Sequence, residues 1–153
     1  MIILIPPSEG KSDKNTSNIK FKDTNFMFKK EVEKILDQLK LLDDYQLQKV
    51  YGVNLEKSKK IQELNLNTMN NKCSLSIERY TGVVYNQINW NCLSKKSKSY
   101  FNDKVKIFSG LFGLVNPKTL IPNYKLKMNS LSLAKFWLPI LSKHLENEEI
   151  VID

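Results

Sequence analysis

The chain has 153 residues, of which 41% are hydrophobic and 10% aromatic. This is enough apolar material for the core of one ordinary domain, so global disorder is excluded. The formal net charge of +8, from 24 Lys and Arg against 16 Asp and Glu residues, favours a polyanionic partner such as nucleic acid, with a merely solvated lysine surface as the alternative.

Several classes of protein are disfavoured at once. Cys73 and Cys92 are far apart and the chain has one histidine, so neither a disulfide framework nor a metal site is indicated. No apolar run approaches the length of a membrane span, and the short run after Met1 does not match a signal peptide. We expect a cytoplasmic protein with no metal, no cofactor and no membrane partner.

The first predicted element is a strand. The apolar run Ile2–Ile5, stopped by two prolines, predicts a strand buried on both faces in the middle of a sheet. Polar residues follow at the carboxyl end of this strand, where α/β proteins commonly place their ligands. The segment lacks the GxxxxGK(S/T) spacing of a Walker loop, so nucleotide hydrolysis is not supported. An ordinary polar turn explains the segment equally well. The candidate anion-binding residues are Ser8, Glu9, Gly10 and Lys11.

Three helices are predicted next. Apolar residues at three- and four-residue spacing predict an amphipathic helix from about Asn25 to Leu42. Asp43 and Gln46 form a capping-box pattern for a second helix. Gly52 ends that helix, and Asn54 can cap a third.

The segment from about residue 43 to residue 64 matches the helix-hairpin-helix pattern, in which a hydrophobic-Gly-hydrophobic turn joins two helices. In this interpretation the glycine lets the turn approach a phosphate, and amides at the next helix N-terminus point towards it. Such contacts recognise the DNA backbone and not its sequence. An ordinary αα-hairpin with lysines facing water is the alternative. The predicted DNA-binding residues are Gly52, Asn54, Lys57, Lys59 and Lys60.

The second half of the chain mixes strands and helices. Residues 80–85 predict a short strand or turn around Gly82, residues 94–101 predict a helix, and Val105 to Phe108 predict a buried strand. Leu126 and Met128 alternate with lysines, which predicts a half-exposed strand.

The chain closes with a predicted helix and strand. A helix follows Ser132 as N-cap, with a kink or restart at Pro139, and a strand begins at Ile150. The order of elements indicates a single α/β domain over residues 1–153 with a mixed sheet, and an α+β arrangement stays open.

The passage from Ile107 to Met128 concentrates glycines and prolines between apolar segments. These residues fix backbone shape, which favours a ligand pocket, although a tight crossover is the alternative. Tyr124 and Lys125 are suited to stack on a base and to pair with a phosphate. Arg79, the single arginine, suits a phosphate or carboxylate, although an ordinary ion pair is the commoner role. The candidate pocket residues here are Arg79, Ser109, Gly110, Gly113, Asn116, Tyr124 and Lys125.

The chain resembles the peroxide stress protein YaaA family, a group of bacterial cytoplasmic proteins. The resemblance rests on the opening strand with Pro6 to Lys11, and on residues 80–85, 108–128, 136–137 and 151–152. It implies a mixed α/β fold with a helix-hairpin-helix element beside a basic cleft, and protection against peroxide through DNA binding and restraint of free iron. It covers roughly the first three-fifths of the family's usual extent. We therefore expect an incomplete domain whose unfinished sheet edge favours self-association.

These observations lead to one expected function and one alternative. We expect a non-catalytic protein of the peroxide stress response that binds double-stranded or structured DNA without sequence specificity and helps limit free-iron damage. The alternative is an enzyme or a small-molecule or anion-binding protein whose pocket is formed by the loops 6–12 and 108–128. No reaction can be named from the residues of these loops.

Overall fold

The computed structural model describes residues 1–148 and 151–152. The strands are β1 (Ile2–Ile5), β2 (Cys73–Leu75), β3 (Val105–Ser109), β4 (Gly113–Val115), β5 (Leu120–Pro122) and β6 (Val151–Ile152). The helices are α1 (Lys29–Lys40), α2 (Asp44–Tyr51), α3 (Leu55–Leu66), α4 (Ser76–Arg79), α5 (Val83–Ile88), α6 (Lys95–Lys104) and α7 (Leu133–Leu145). Short 3-10 turns lie at Phe21–Asp23 and Trp90–Cys92.

A mixed four-stranded sheet of order β4-β3-β1-β6 organises the domain. Ile3 of β1 lies opposite Val105 of β3 and Ile152 of β6, and both neighbours run parallel to β1. β4 is antiparallel to β3. The prediction that the first strand lies inside the sheet is confirmed, and the fold is α/β. β2 and β5 form a separate antiparallel pair.

The predicted helix boundaries are confirmed where side chains cap the helices. Asp43 accepts a hydrogen bond from the Gln46 amide at 2.8 Å and donates its own amide to the Gln46 side chain at 2.9 Å, the reciprocal pattern of a capping box. Asn54 accepts from the Lys57 amide at 2.9 Å and caps α3. Ser94 caps α6 in the same way. Local side-chain chemistry therefore sets these ends.

Two predictions in the second half of the chain are wrong. Residues Val83–Ile88 form the helix α5 and not a strand. The segment around Leu126 is not a strand; it packs closely against the main chain at Gly110. Ser132 is the N-cap of α7 as predicted, but it adopts a left-handed φ of 54° and its side chain makes no cap hydrogen bond. α7 runs from Leu133 to Leu145 as one helix that includes Pro139, so the helix does not restart there. The predicted strand start at Ile150 lies outside the described residues.

Two glycines with the same backbone conformation provide a matched test of packing. Gly113 has φ +69° and a Cβ there would lie 2.6 Å from the Trp137 ring, whereas Gly52 has φ +66° with nothing within 4 Å. We expect Gly52→Ala to lower the free energy of unfolding by about 1 kcal/mol, the cost of left-handed backbone. Gly113→Ala should lower it by roughly 1–3 kcal/mol more, because the core is overpacked. Urea unfolding measures both. Equal losses would show that the ring moves aside without cost.

Candidate functional site

The loop after β1 is held in place by the segment around Tyr80. Lys11 and Tyr80 form an isolated antiparallel bridge. The Thr81 amide donates to the Gly10 carbonyl at 3.0 Å, and the Ser12 amide donates to the Arg79 carbonyl at 2.8 Å. Main-chain bonds on both sides of the bridge therefore fix residues 10–12 against residues 79–81.

Arg79 is fully buried and serves the same loop. Its guanidinium donates to the carbonyls of Ser12 at 2.6 Å and Lys14 at 3.0 Å, to the Asn15 side chain at 2.8 Å, and to the Ile121 carbonyl at 3.3 Å. Burial lowers the pKa of the guanidinium. The sequence placed Arg79 in a ligand pocket; the structure instead places it in the interior, where it ties the loop to β5.

A chain of buried hydroxyls lies beneath the loop. The Tyr124 hydroxyl is 2.7 Å from the Tyr80 hydroxyl and 2.8 Å from the Ser109 hydroxyl. Ser109 also accepts the Phe112 amide at 3.0 Å. Burial raises the pKa of Tyr124 to about 12. Because Tyr124 is only 2% exposed, its ring is not available to stack on a base, contrary to the sequence interpretation.

Lys11 lies on top of these rings. Its Nζ is 4.5 Å from the centroid of the Tyr124 ring and 5.5 Å from that of Tyr80. It donates to the Ser8 carbonyl at 3.0 Å. Burial and then the charge of Lys125 lower its pKa to about 8, with a smaller opposing effect of Glu9. The ammonium is thus held in one place and lies close to a second cation.

A cavity of about 290 Å³, which we call the Lys11 cavity, opens at this point. Glu9 at its edge forms an ion pair with Lys127 at 2.7 Å, and this contact lowers the pKa of the carboxyl. The polar residues that line the cavity are Ser8, Glu9, Lys11, Lys125, Lys127 and Asn129. The structure therefore brings together two predicted groups, from the loop after β1 and from the segment after β5.

The other predicted pocket residues lie elsewhere. Gly110 packs against the main chain of residues 126–128, and Gly113 packs against Trp137. Asn116 accepts a hydrogen bond from Lys106 at 2.7 Å and lines a different cavity. Gly10 is not among the lining residues; a Cβ there would lie 2.7 Å from the Thr81 hydroxyl. The glycines of the passage serve close packing and do not surround a ligand.

Sequence reasoning missed Lys127 and Asn129 as lining residues. The alternation of Leu126 and Met128 with lysines was a signal, but it was interpreted as a strand. The segment is not a strand, and consecutive residues of it, Lys125 and Lys127 among them, line the cavity.

The predicted DNA-binding turn is exposed. Gly52 is in the left-handed conformation and donates its amide to the Gln48 carbonyl at 2.8 Å. Lys57 is exposed and forms no ion pair within the described part of the chain. Lys59 pairs with Asp44 of α2 at 3.3 Å, and Lys60 pairs with Glu56 at 2.8 Å. Two of the three predicted lysines thus have a carboxylate partner.

The two candidate sites are joined through α3. The buried side chain of Asn65 donates to the Lys125 carbonyl at 2.9 Å and accepts from the Lys125 amide at 2.9 Å. A second cavity, of about 480 Å³, lies between α2 and residues 129–132, and Asn129 lines both this cavity and the Lys11 cavity. Gly52 lines neither of the two.

The sequence profile of the peroxide stress protein YaaA family matches residues 1–153. The chain belongs to this family. The uncharacterised protein Cj0984 of Campylobacter jejuni is 31% identical over 99% of this chain and 66% of its own length. A UPF0246 protein of Crocosphaera subtropica is 31% identical over 83% of this chain and 54% of its own length. A UPF0246 protein of Malacoplasma penetrans is 27% identical over 95% of this chain and 62% of its own length.

The chain spans about half to two-thirds of the length of these relatives. The family profile nevertheless matches it from the first residue to the last, so that match gives no support to the expected absence of a C-terminal part. Within residues 1–148 and 151–152, no helix combines the length and the apolar content that crossing a membrane requires. No group of three or more His, Cys, Asp or Glu side chains in this part of the chain could hold a metal ion.

The lowered pKa of Lys11 predicts how stability depends on pH. Below about pH 8 Lys11 is charged in both states, and the burial cost destabilises the fold. Between about pH 8, the pKa of Lys11 in the folded protein, and pH 10.5, its ordinary pKa, the folded state has lost the proton while the unfolded state keeps it. The free energy of unfolding therefore rises with pH over this range. We therefore expect Lys11→Met to stabilise the protein at pH 7 by on the order of 2–3 kcal/mol and to lose this advantage towards pH 10.5. Urea unfolding of both proteins across this range measures it.

Lys30→Met provides the control, since Lys30 is an exposed residue of α1. Its difference from the wild type should not follow the same pH window. A Lys11→Met difference that stays flat from pH 7 to pH 10.5 would contradict the lowered pKa.

Proposed function

We propose that this protein acts in the cytoplasm during peroxide stress by binding double-stranded or structured DNA through its phosphate backbone, without sequence specificity. The family supplies the link to peroxide stress. The observation that carries the proposal is the exposed turn at Gly52, followed directly by the capped N-terminus of α3 and by the exposed Lys57. We call α2, this turn and α3 the Gly52 hairpin.

The chemistry of the Gly52 hairpin suits a phosphate. The first amides of a helix have no partner within the helix, and its N-terminus carries a partial positive charge. Nothing lies within 4 Å of the position of a Gly52 Cβ, so a strand can approach the backbone closely. Lys57 adds a full charge. The pairs of Lys59 and Lys60 are solvent-exposed, so exchanging their carboxylates for phosphates costs little.

Protection against free iron follows from the same binding in this proposal. Hydroxyl radicals generated by iron react where they form, and a protein that covers the DNA backbone also excludes cations from it. The protein would therefore limit iron damage at the DNA, by occupancy and without catalysis.

A second candidate function rests on the Lys11 cavity. Its partly buried ammonium, held over two tyrosine rings beside Lys125, favours binding of a small anionic molecule. The sequence analysis gave a pocket formed by the loops 6–12 and 108–128 as the alternative to DNA binding. The residues that line the Lys11 cavity belong to the segments 7–11 and 124–129.

The DNA proposal predicts a change in salt dependence. Lys57→Ala with Lys60→Ala should lower duplex affinity about tenfold and reduce the slope of log K against log salt by about 2, because each phosphate contact contributes about 0.9. The matched control is Lys30→Ala with Lys34→Ala, which removes the same charge from the exposed face of α1. Fluorescence anisotropy over a salt series measures both. Equal slopes for the two double variants would show that the hairpin is not the contact surface.

We also propose that β6 mediates self-association. It is one of the two edge strands of the described sheet, and Val151 and Ile152 are 45% and 48% exposed. An exposed apolar edge favours pairing with a second copy.

Val151→Lys should therefore shift the protein towards the monomer in sedimentation velocity runs at increasing concentration. Leu138→Lys, on the exposed face of α7, is the control and should leave the distribution unchanged. A wild-type protein that stays monomeric at every concentration would overturn this proposal.

A further inference from the structure

The Lys11 cavity has a charge imbalance. Three lysines face it with one carboxylate, and that carboxylate, Glu9, is already paired with Lys127 at 2.7 Å. Lys11 and Lys125 form no ion pair within residues 1–148 and 151–152. Two ammonium groups close together in a partly buried site repel each other, and a bound anion would remove this repulsion.

The Lys11 ammonium is positioned before any ligand arrives. Tyr124 cannot turn away, because its hydroxyl is held by Tyr80 and Ser109, and its ring lies under the ammonium at 4.5 Å. An ammonium has three N–H donors, and the Ser8 carbonyl accepts one of them at 3.0 Å. Two N–H donors are left for a ligand. Because the ammonium is already held in place, little conformational entropy is lost when the ligand binds.

Ser8 supplies a further donor. Its hydroxyl oxygen accepts the Gly10 amide at 3.2 Å, which leaves its proton to be donated. A Cβ on Gly82 would lie 3.1 Å from this oxygen, so the Gly82 turn closes one side of Ser8. Ser8 lines both the Lys11 cavity and a neighbouring cavity beside Gly82.

We propose that the Lys11 cavity binds a phosphate monoester, with the ammonium groups of Lys11 and Lys125 and the Ser8 hydroxyl as its donors. Two cations match a dianion, and lysines act on phosphate as point charges, whereas planar carboxylate recognition would use an arginine. The only arginine, Arg79, is fully buried, and both of its terminal nitrogens donate to the loop 12–15 or to Ile121. A cavity of about 290 Å³ accommodates the phosphate with part of the group attached to it.

This site is separate from the phosphate contacts proposed for the Gly52 hairpin, and the two proposals can fail independently. The same chemistry is found at the phosphorylated end of a nucleic acid strand and in a free sugar phosphate or mononucleotide. Asn129 lines both the Lys11 cavity and the second cavity beside α2, so the Lys11 cavity lies next to a cavity lined by residues of the hairpin.

The test uses the intact chain with inorganic phosphate and two short single-stranded oligonucleotides, one with a terminal phosphate and one with a terminal hydroxyl. Lysine side-chain NMR follows Lys11, assigned by its loss in Lys11→Met. Phosphate should raise the titration midpoint of Lys11, because the anion favours the ammonium. The phosphorylated oligonucleotide should bind about tenfold more tightly than the hydroxyl form, and Lys11→Met and Lys125→Gln should each abolish this preference.

Lys57→Ala separates the two proposals, since it should weaken both oligonucleotides equally and keep the preference. A phosphate response at Lys11 without a preference between the oligonucleotides would support the site and assign it to a free small molecule. A Lys11 midpoint that does not respond to phosphate, together with equal affinities, would overturn the proposal. Circular dichroism shows whether each variant is folded, and Lys125→Gln, a change at an exposed residue, tests the preference independently of any change at Lys11.

Discussion

The Tyr124 hydroxyl is the point on which the rest of the site depends. It bonds to Tyr80 at 2.7 Å and to Ser109 at 2.8 Å, and so joins the end of β3, the residue after α4 and the segment after β5. A buried hydroxyl without partners would cost free energy, so this arrangement specifies how the three segments meet. Lys11 lies on the ring of the same tyrosine. The position of the cation is therefore a consequence of hydrogen bonding in the core.

Two other buried polar residues extend this arrangement outwards. Arg79 holds the loop 12–15 through main-chain carbonyls, and Asn65 holds the main chain of Lys125 with both ends of its amide. Each side chain forms hydrogen bonds with main-chain groups of a loop, which would otherwise have to bond to water. Loops of a small domain are ordinarily its most mobile parts. Here the two loops that line the Lys11 cavity are attached to the core by side chains from other elements.

The sequence allowed prediction where the determining interactions are local. The capping box at Asp43, the end of α2 at Gly52 and the cap at Asn54 depend on residues within a few positions of one another, and all three are found. The central strand Ile2–Ile5 was also predictable, because a strand with one face buried and the other partly buried has an uninterrupted apolar run.

Prediction failed where partners are distant in the chain. Arg79 resembled a ligand-binding residue because nothing near it in sequence shows that loop 12–15 would occupy its donors. Gly110 and Gly113 were correctly interpreted as special, but their reason is the close approach of residues 126–128 and of Trp137. A glycine pattern shows that something comes close to the backbone. It does not show whether a ligand or the protein itself does so, and in this chain it is the protein.

The connection through Asn65 has a consequence for how the two basic features relate. α3 begins at the turn proposed to contact DNA and ends one residue after Asn65, which holds Lys125 at the Lys11 cavity. A 12-residue helix is a rigid rod of about 18 Å, so the spacing between the turn and the cavity is set by its length. A strand bound at the hairpin would therefore present a fixed stretch of backbone towards the cavity. The rigidity of α3, and not a flexible linker, determines which part of a nucleic acid could reach Lys11.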